Sequence, residues 1–238
     1  KWNNANRLSS FGNVFVEIQP IKNLFFKSNY GADNARYLNK VITPTFTEGA
    51  LSRTTNGLLY DQNHFLSTTF SNTLRYNWNL NDDHHFKFLV GTEYIKTDLN
   101  FQTTRKEGFA IQTEEYFTLS AATGNTVVAG GSTGNRLFSQ FGRVDYAYAD
   151  KYLVAVTLRR DGSSRFGTEN QYGFFPAASV GWRIDKEGFM KDQSLFSELK
   201  LRVGVGRVGN QQIGDVSRFQ LFDTRYGTTQ NQITPGFW

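Results

Sequence analysis

The chain has 238 residues, a net charge of +5 and no cysteine, so disulfides and thiolate chemistry are excluded, while the length allows one or two ordinary domains. Aromatic residues make up 16%, with 22 Phe and 11 Tyr against 4 Pro and 1 Met; together with frequent Gly, Thr, Val and Asn this favours strands and turns over helices. Basic residues are scattered among acidic ones without a dense patch, which argues against a nucleic-acid partner, and no run approaches the roughly 20 apolar residues of a membrane helix.

The first residues, Lys1 to Arg7, lack the apolar core of a secretory leader. Either a leader has been removed or the chain starts inside a longer protein. Strand-like runs then follow in pairs. Val14–Gln19 and Leu24–Gly31 flank a tight turn at Pro20-Ile21-Lys22-Asn23, and a long polar stretch runs from Ala32 to Asp61. Phe65–Trp78 and Phe86–Asp98 flank a short turn over 79–83, followed by a long segment, Leu99–Asn135, that includes the Gly/Thr/Ser-rich patch 129–134. Leu137–Tyr148 and Tyr152–Arg160 flank Ala149-Asp150-Lys151; after a loop over 161–172 come Phe174–Ile184 and Leu199–Val208, joined by 185–198 with one or two helical turns. The expectation is about eight strands with short and long connections in strict alternation.

The period within these runs is two. Phe86, Phe88, Val90 and Tyr94 alternate with Lys87, Gly91 and Glu93, and Tyr152, Val154, Val156 and Leu158 with Leu153, Ala155, Thr157 and Arg159. Likewise Ala178, Val180, Trp182 and Ile184 alternate with Ser179, Gly181 and Arg183, and Leu201, Val203 and Val205 with Lys200, Arg202 and Gly204. One face is apolar and the other carries charge, glycine and hydroxyls. A soluble sandwich shows the same alternation. Strands of about ten residues, short turns at one end and long loops at the other match a membrane barrel, with aromatics such as Trp78, Tyr148 and Tyr152 near strand ends as interfacial girdles. A mean hydropathy of −0.47 is compatible with that, because a barrel strand is apolar on one face only.

With short turns on the periplasmic side, the first strand starts at the extracellular end and the last, near Val208, runs outward. That polarity fits an interior segment of a larger barrel. The ending Thr234-Pro235-Gly236-Phe237-Trp238 lacks alternation and holds a strand breaker, so it reads as no terminal barrel strand.

Residues that carry chemistry are few. Gly204-Val205-Gly206-Arg207-Val208-Gly209 has the G-x-G-x-x-G spacing, but inside an alternating strand and with no helix to follow. His84 and His85 point to opposite faces of a strand and do not converge on a metal, and Glu114-Glu115 face opposite ways if extended. No Ser/His/Asp constellation is legible. The reading is a protein that is not an enzyme, with no catalytic residue, metal site or cofactor.

The most informative stretch is Arg159-Arg160-Asp161-Gly162-Ser163-Ser164-Arg165-Phe166-Gly167, followed by Phe175-Pro176-Ala177-Ala178-Ser179-Val180-Gly181-Trp182. With Phe141-Gly142-Arg143-Val144-Asp145-Tyr146 before it and Leu199-Lys200-Leu201-Arg202 to Gly209-Asn210 after it, this series resembles the SusC/RagA family of TonB-dependent outer-membrane transporters. Gln19-Pro20-Ile21-Lys22-Asn23-Leu24 extends the resemblance loosely into the first half. It implies an all-β, partial antiparallel transmembrane barrel of about eight strands, residues 1–238 forming part of a barrel of about 22 strands, with the plug domain and signal peptide outside this segment. The implied protein sits in the outer membrane of a Gram-negative bacterium, its barrel in contact with lipid. It imports oligosaccharides or peptides, capped by a SusD-like lipoprotein and energised by TonB through a segment not in these residues. Two alternatives stand beside it: a self-contained small outer-membrane barrel with an adhesive or structural role, and a soluble carbohydrate-binding β-sandwich.

The loop Asp161, Gly162, Ser163, Ser164, Arg165, Phe166, Gly167 is expected to stop the strand sharply, since Asp and Ser bond neighbouring amides and Gly tolerates positive φ. Contact with substrate or partner is its second reading. Phe109, Tyr116 and Phe117 are the aromatic candidates for stacking on sugars or gripping peptides from the longest loop.

Overall fold

The computed structural model describes residues 2–191, 194–215, 225–229 and 232–236. Strands β1 (Trp2–Ile21) and β2 (Leu24–Thr43) are followed by a small hairpin, β3 (Phe46–Glu48) with β4 (Leu51–Arg53). Then come β5 (Gly57–Asn79), β6 (His84–Glu107), β7 (Thr126–Tyr148), β8 (Tyr152–Ser163), β9 (Tyr172–Arg183) and β10 (Lys200–Gly206). Eight of these form one antiparallel sheet in the order β1-β2-β5-β6-β7-β8-β9-β10. The sheet is open among the described residues: β1 pairs only with β2 and β10 only with β9. A separate hairpin, β11 (Arg225–Thr229) with β12 (Gln232–Gly236), includes Pro235 opposite Tyr226. The strand-breaking proline therefore does not keep Thr234–Gly236 out of a strand. Trp238 lies outside the described residues.

Five strands are far longer than the expected ten residues, at 20 to 24 each. Residues 32–43, 57–61, 99–107 and 126–135, which read as loop, are paired strand. Their apolar residues come singly or in adjacent pairs, such as Val41-Ile42, Leu58-Leu59 and Val127-Val128, so the strict apolar alternation that marks a strand stops while the backbone ladder continues. The turns over 22–23, 80–83 and 149–151 are short as expected. Ala149 and Asp150 both take left-handed backbone, with φ of 49° and 53°, the pair of conformations that a tight hairpin turn demands. The alternation in connection length does fail once: residues 184–199 lie at the same end of the sheet as these short turns and fold into two short 3-10 turns, Ile184–Lys186 and Gly188–Met190.

The register makes the two faces explicit. Trp78, Phe86, Tyr146, Val154, Val180 and Val203 are successive cross-strand partners on one face. Phe70, Tyr94 and Phe138 form a second row higher on the same face. Ring contacts knit the lower row: Trp78 to Phe86 at 5.3 Å, Phe86 to Tyr146 at 4.7 Å, His84 to Tyr148 at 4.9 Å and Tyr148 to Tyr152 at 6.3 Å between centroids. From His84 to Tyr94 a strand rises about 34 Å at about 3.4 Å per residue, hence roughly 26 Å of height at barrel tilt, which is the thickness of an outer-membrane apolar band. Above Tyr94 the face turns polar with Lys96, Asp98 and Asn100, and residues 95–107 of β6 continue the strand beyond the band.

Among the described residues no second layer lies against this apolar face. Val203 is 62% exposed and Val180 56%, and among the described residues the buried apolar ones are Val41, Ile42, Leu58, Phe109 and Phe117, all at the polar end. A sandwich buries one sheet face on another, so that alternative is set aside. An unpaired apolar band of this size needs lipid.

The opposite face carries charges in pairs. Arg143, Arg159 and Arg183 share it, and crowding them predicts mutual repulsion. Each instead has a carboxylate two residues further on: period two puts Asp145 beside Arg143 at 2.6 Å and Asp161 beside Arg159 at 2.7 Å, and the 3-10 turn after β9 brings Asp185 to Arg183 at 3.1 Å.

Candidate functional site

The Asp161–Gly167 loop is stitched to β7. The Ser164 N–H donates to the Arg136 carbonyl at 2.9 Å, and the Arg136 N–H donates to Ser164 Oγ at 2.9 Å, so a hydroxyl extends the ladder past the end of β8. Ser163 is buried; its Oγ accepts from the Arg165 N–H at 3.3 Å, and its carbonyl from the Phe166 N–H at 3.3 Å. Gly162 lies directly beneath the Tyr172 ring, which leaves no space for a Cβ. Tyr172 in turn carries the Arg160 guanidinium 4.1 Å above its centroid on the outward face. Gly167 precedes a 3-10 turn, Thr168–Asn170.

Asp161 belongs to the inward face. Arg159 Nε donates to it, while Arg159 Nη2 reaches Ser139 Oγ at 2.8 Å and Glu93 Oε1 at 3.2 Å on the two preceding strands. The guanidinium also lies 5.7 Å from the centroid of Phe141, whose ring lies against Gly91, where a Cβ would meet it at 2.6 Å.

Arg165 leaves the wall and crosses to the segment after β10. Its Nε donates to Asp215 Oδ1 at 2.7 Å and its Nη1 to the Gln211 carbonyl at 3.0 Å. Thr133 Oγ1 and Asn135 Nδ2 donate to the same carboxylate at 3.0 and 3.1 Å. Burial opposes ionisation of Asp215, but Arg165 and the two neutral donors outweigh it and hold the carboxyl below the usual carboxylate range. Residues 207–215 thus form a strap pinned across the inward face. Beneath it lies a cleft of about 530 Å³, with Arg159, Asp161 and Thr157 on the wall, Phe166 and Phe175 at the sides and Arg207 on the strap. Charged forks beside flat apolar rings suit ligands that combine polar groups with apolar faces.

Phe109 and Phe117 are not on this cleft. They are 5% and 0% exposed, meet at a tilt with ring centroids 4.5 Å apart, and pack on Ile42 and Leu58. Asn56 holds the Phe109 backbone, with Nδ2 donating to its carbonyl and Oδ1 accepting from its N–H, both at 2.7 Å. Leu58 shares its strand face with Phe70 and Trp78, so this loop folds over the outward side of the strand tips. The structure corrects the expectation for these two rings, which pack the loop. Tyr116, at 52% exposure, is the aromatic candidate that keeps an open ring. Gly204 and Gly206 lie within β10 against Ser179 and Ala177. His84 shares a 2.7 Å hydrogen bond with the Tyr146 hydroxyl in the aromatic row.

No protein-family model matches the chain. It is, however, 35% identical over 163 residues to the TonB-dependent receptor P26 of Formosa agariphila, an overlap of 68% of this chain and 16% of that protein. It is 49% identical over 84 residues to the TonB-dependent receptor SusC of Bacteroides thetaiotaomicron, covering 35% of this chain and 8% of the relative. To the TonB-dependent receptor P39 of Formosa agariphila it is 32% identical over 232 residues, 92% of this chain and 21% of the relative. The RagAB peptide transporter shares the fold at a TM-score of 0.81 and 23% identity, over 99% of this chain and 26% of that one.

An open antiparallel sheet with one lipid-facing side and one charged side is a part of an outer-membrane β-barrel wall. The chain is a homologue of TonB-dependent receptors, SusC of Bacteroides thetaiotaomicron among them. It spans about a fifth or less of the length of the curated relatives it matches.

Proposed function

We propose that the protein to which this chain contributes imports oligosaccharides or peptides across the outer membrane, with TonB supplying energy through a segment outside residues 1–238. In this reading the plug lies outside the segment too, and a SusD-like surface lipoprotein caps the extracellular mouth. The observation that carries the proposal is the 49% identity to SusC over 84 residues, supported by 35% identity to P26 over most of the chain. The strapped inward cleft contributes part of the route: Arg159, Asp161 and Arg207 offer polar contacts, and Phe166 and Phe175 flat ones. Tyr116 is a contact at the extracellular rim. The test is uptake of labelled oligopeptides and oligosaccharides by cells carrying the intact protein. Uptake of one class that stops on dissipating the proton gradient or deleting TonB is expected. Uptake indifferent to both manipulations refutes the proposal.

A further inference from the structure

The 184–199 connection is tied to the outward face by one carboxylate. Glu187 Oε1 accepts from the Tyr152 hydroxyl at 2.7 Å and from the Trp182 indole N–H at 3.0 Å, and Oε2 accepts from Lys151 Nζ at 3.3 Å. Tyr152 and Trp182 are cross-strand partners, and they lie on the face of Val154 and Val180, at the lower edge of the apolar band. Glu187 thus satisfies the polar tips of two girdle aromatics and draws the connection under the sheet's lipid-facing side. The hydrogen bonds from Glu187 N–H to the Ile184 carbonyl and from Met190 N–H to the Glu187 carbonyl, both at 3.0 Å, make this stretch a defined shape.

Two residues on, Phe189 is 72% exposed, with Lys186 and Lys191 on either side. A large ring left in solvent next to a row of interfacial aromatics, flanked by ammonium groups, matches the chemistry of a bilayer surface: acyl-chain boundary for the ring and phosphate headgroups for the lysines. We propose that residues 184–191 are an in-plane membrane anchor, in which Phe189 enters the headgroup boundary of the periplasmic leaflet and Glu187 acts as the positioning residue that holds it there. The occupant is phospholipid, argued from continuity with the lipid-facing row. The inference rests on that row meeting lipid, and the test separates the two.

The chain has no cysteine, so a spin label can be placed singly within it. In the intact receptor, with any cysteines elsewhere replaced, Phe189→Cys, Val156→Cys and Asp82→Cys are labelled and reconstituted in phosphatidylethanolamine–phosphatidylglycerol vesicles. Accessibility to oxygen relative to a water-soluble nickel chelate is then read. Phe189→Cys should be several-fold richer in oxygen than Asp82→Cys, at a turn tip, and shallower than Val156→Cys. Adding Glu187→Ala should bring position 189 to the Asp82 level while position 156 stays in lipid, which also shows that the barrel has folded. A label at 189 as aqueous as that at 82, with 156 in lipid, overturns the anchor. A 189 label unmoved by Glu187→Ala overturns the role of Glu187. An aqueous 156 overturns the lipid-facing assignment and the anchor with it.

Discussion

Arg165 and Asp215, fifty positions apart, meet at 2.7 Å, and their pairing turns the loop after β8 and the strand end after β10 into the two sides of one cleft. Both side chains are mostly shielded, at 22% and 16% exposure. Replacing Asp215 by Ala leaves a guanidinium, a hydroxyl and an amide without their shared acceptor. We expect the strap over 207–215 to open more easily by about 1–2 kcal/mol, the range for hydrogen bonds to charged groups discounted for partial solvent access. Hydrogen exchange of those amides reads this directly, and unchanged protection would contradict it.

The same pairing fixes a pH dependence. The Asp215 carboxyl is held below its ordinary value, so its contribution is fully present above the unfolded carboxylate range and is lost as pH falls through the depressed folded value. Strap protection should therefore be flat from pH 8 to about pH 4, the ordinary carboxylate value, and should fall only below it. Asp215→Asn should show weaker protection at neutral pH and no such acid-dependent loss.

Ala149 holds positive φ without being glycine, in the turn between β7 and β8. Ala149→Gly relieves that conformation at a half-buried turn position and should stabilise the folded barrel by about 0.5–1 kcal/mol. Urea unfolding in vesicles checks this; a loss of stability would show that the methyl group makes a contact that outweighs the backbone strain.

Residues 1–238 expressed alone should misfold or aggregate in detergent. Among the described residues the outer edges of β1 and β10 each present unpaired amides and carbonyls, and lipid offers them no partner. The Arg-x-Asp pairing lessens charge repulsion as a cause, so the open edges are the main one. A heat-modifiable, protease-resistant monomer from this segment would support the self-contained barrel.

The strand positions and their faces were legible because apolar and polar residues alternate wherever one side meets lipid. Above the band the apolar residues no longer alternate strictly, as in Val41-Ile42, Leu58-Leu59 and Val127-Val128, so β2, β5, β6 and β7 read as loops there although their backbones stay paired. The cleft was half legible: Asp161 to Arg165 stand out as a motif, whereas Asp215, fifty residues on, carries no local mark. Glu93 and Ser139 likewise meet Arg159 only through the register. The Arg-x-Asp spacing was readable in principle, since period two places both members on one face. The burial of Phe109 and Phe117 was not, because an aromatic in a long loop looks the same whether it packs its own loop or faces a ligand.

Two-sidedness also sets the sensitivity of the wall. Val154→Arg or Val203→Arg puts a charge into the lipid band and should destabilise by about 2–4 kcal/mol, with Arg202→Ala on the opposite face milder.

One face of this sheet meets lipid and the other lines the barrel interior, a division that a cysteine scan along β8 reads residue by residue. In the intact receptor in outer-membrane vesicles, positions 153 to 158 are replaced singly and exposed to a membrane-impermeant maleimide. Labelling should show a period of two, strong at Leu153, Ala155 and Thr157 and weak at Val154, Val156 and Leu158. Uniform labelling, or the opposite phase, would contradict it.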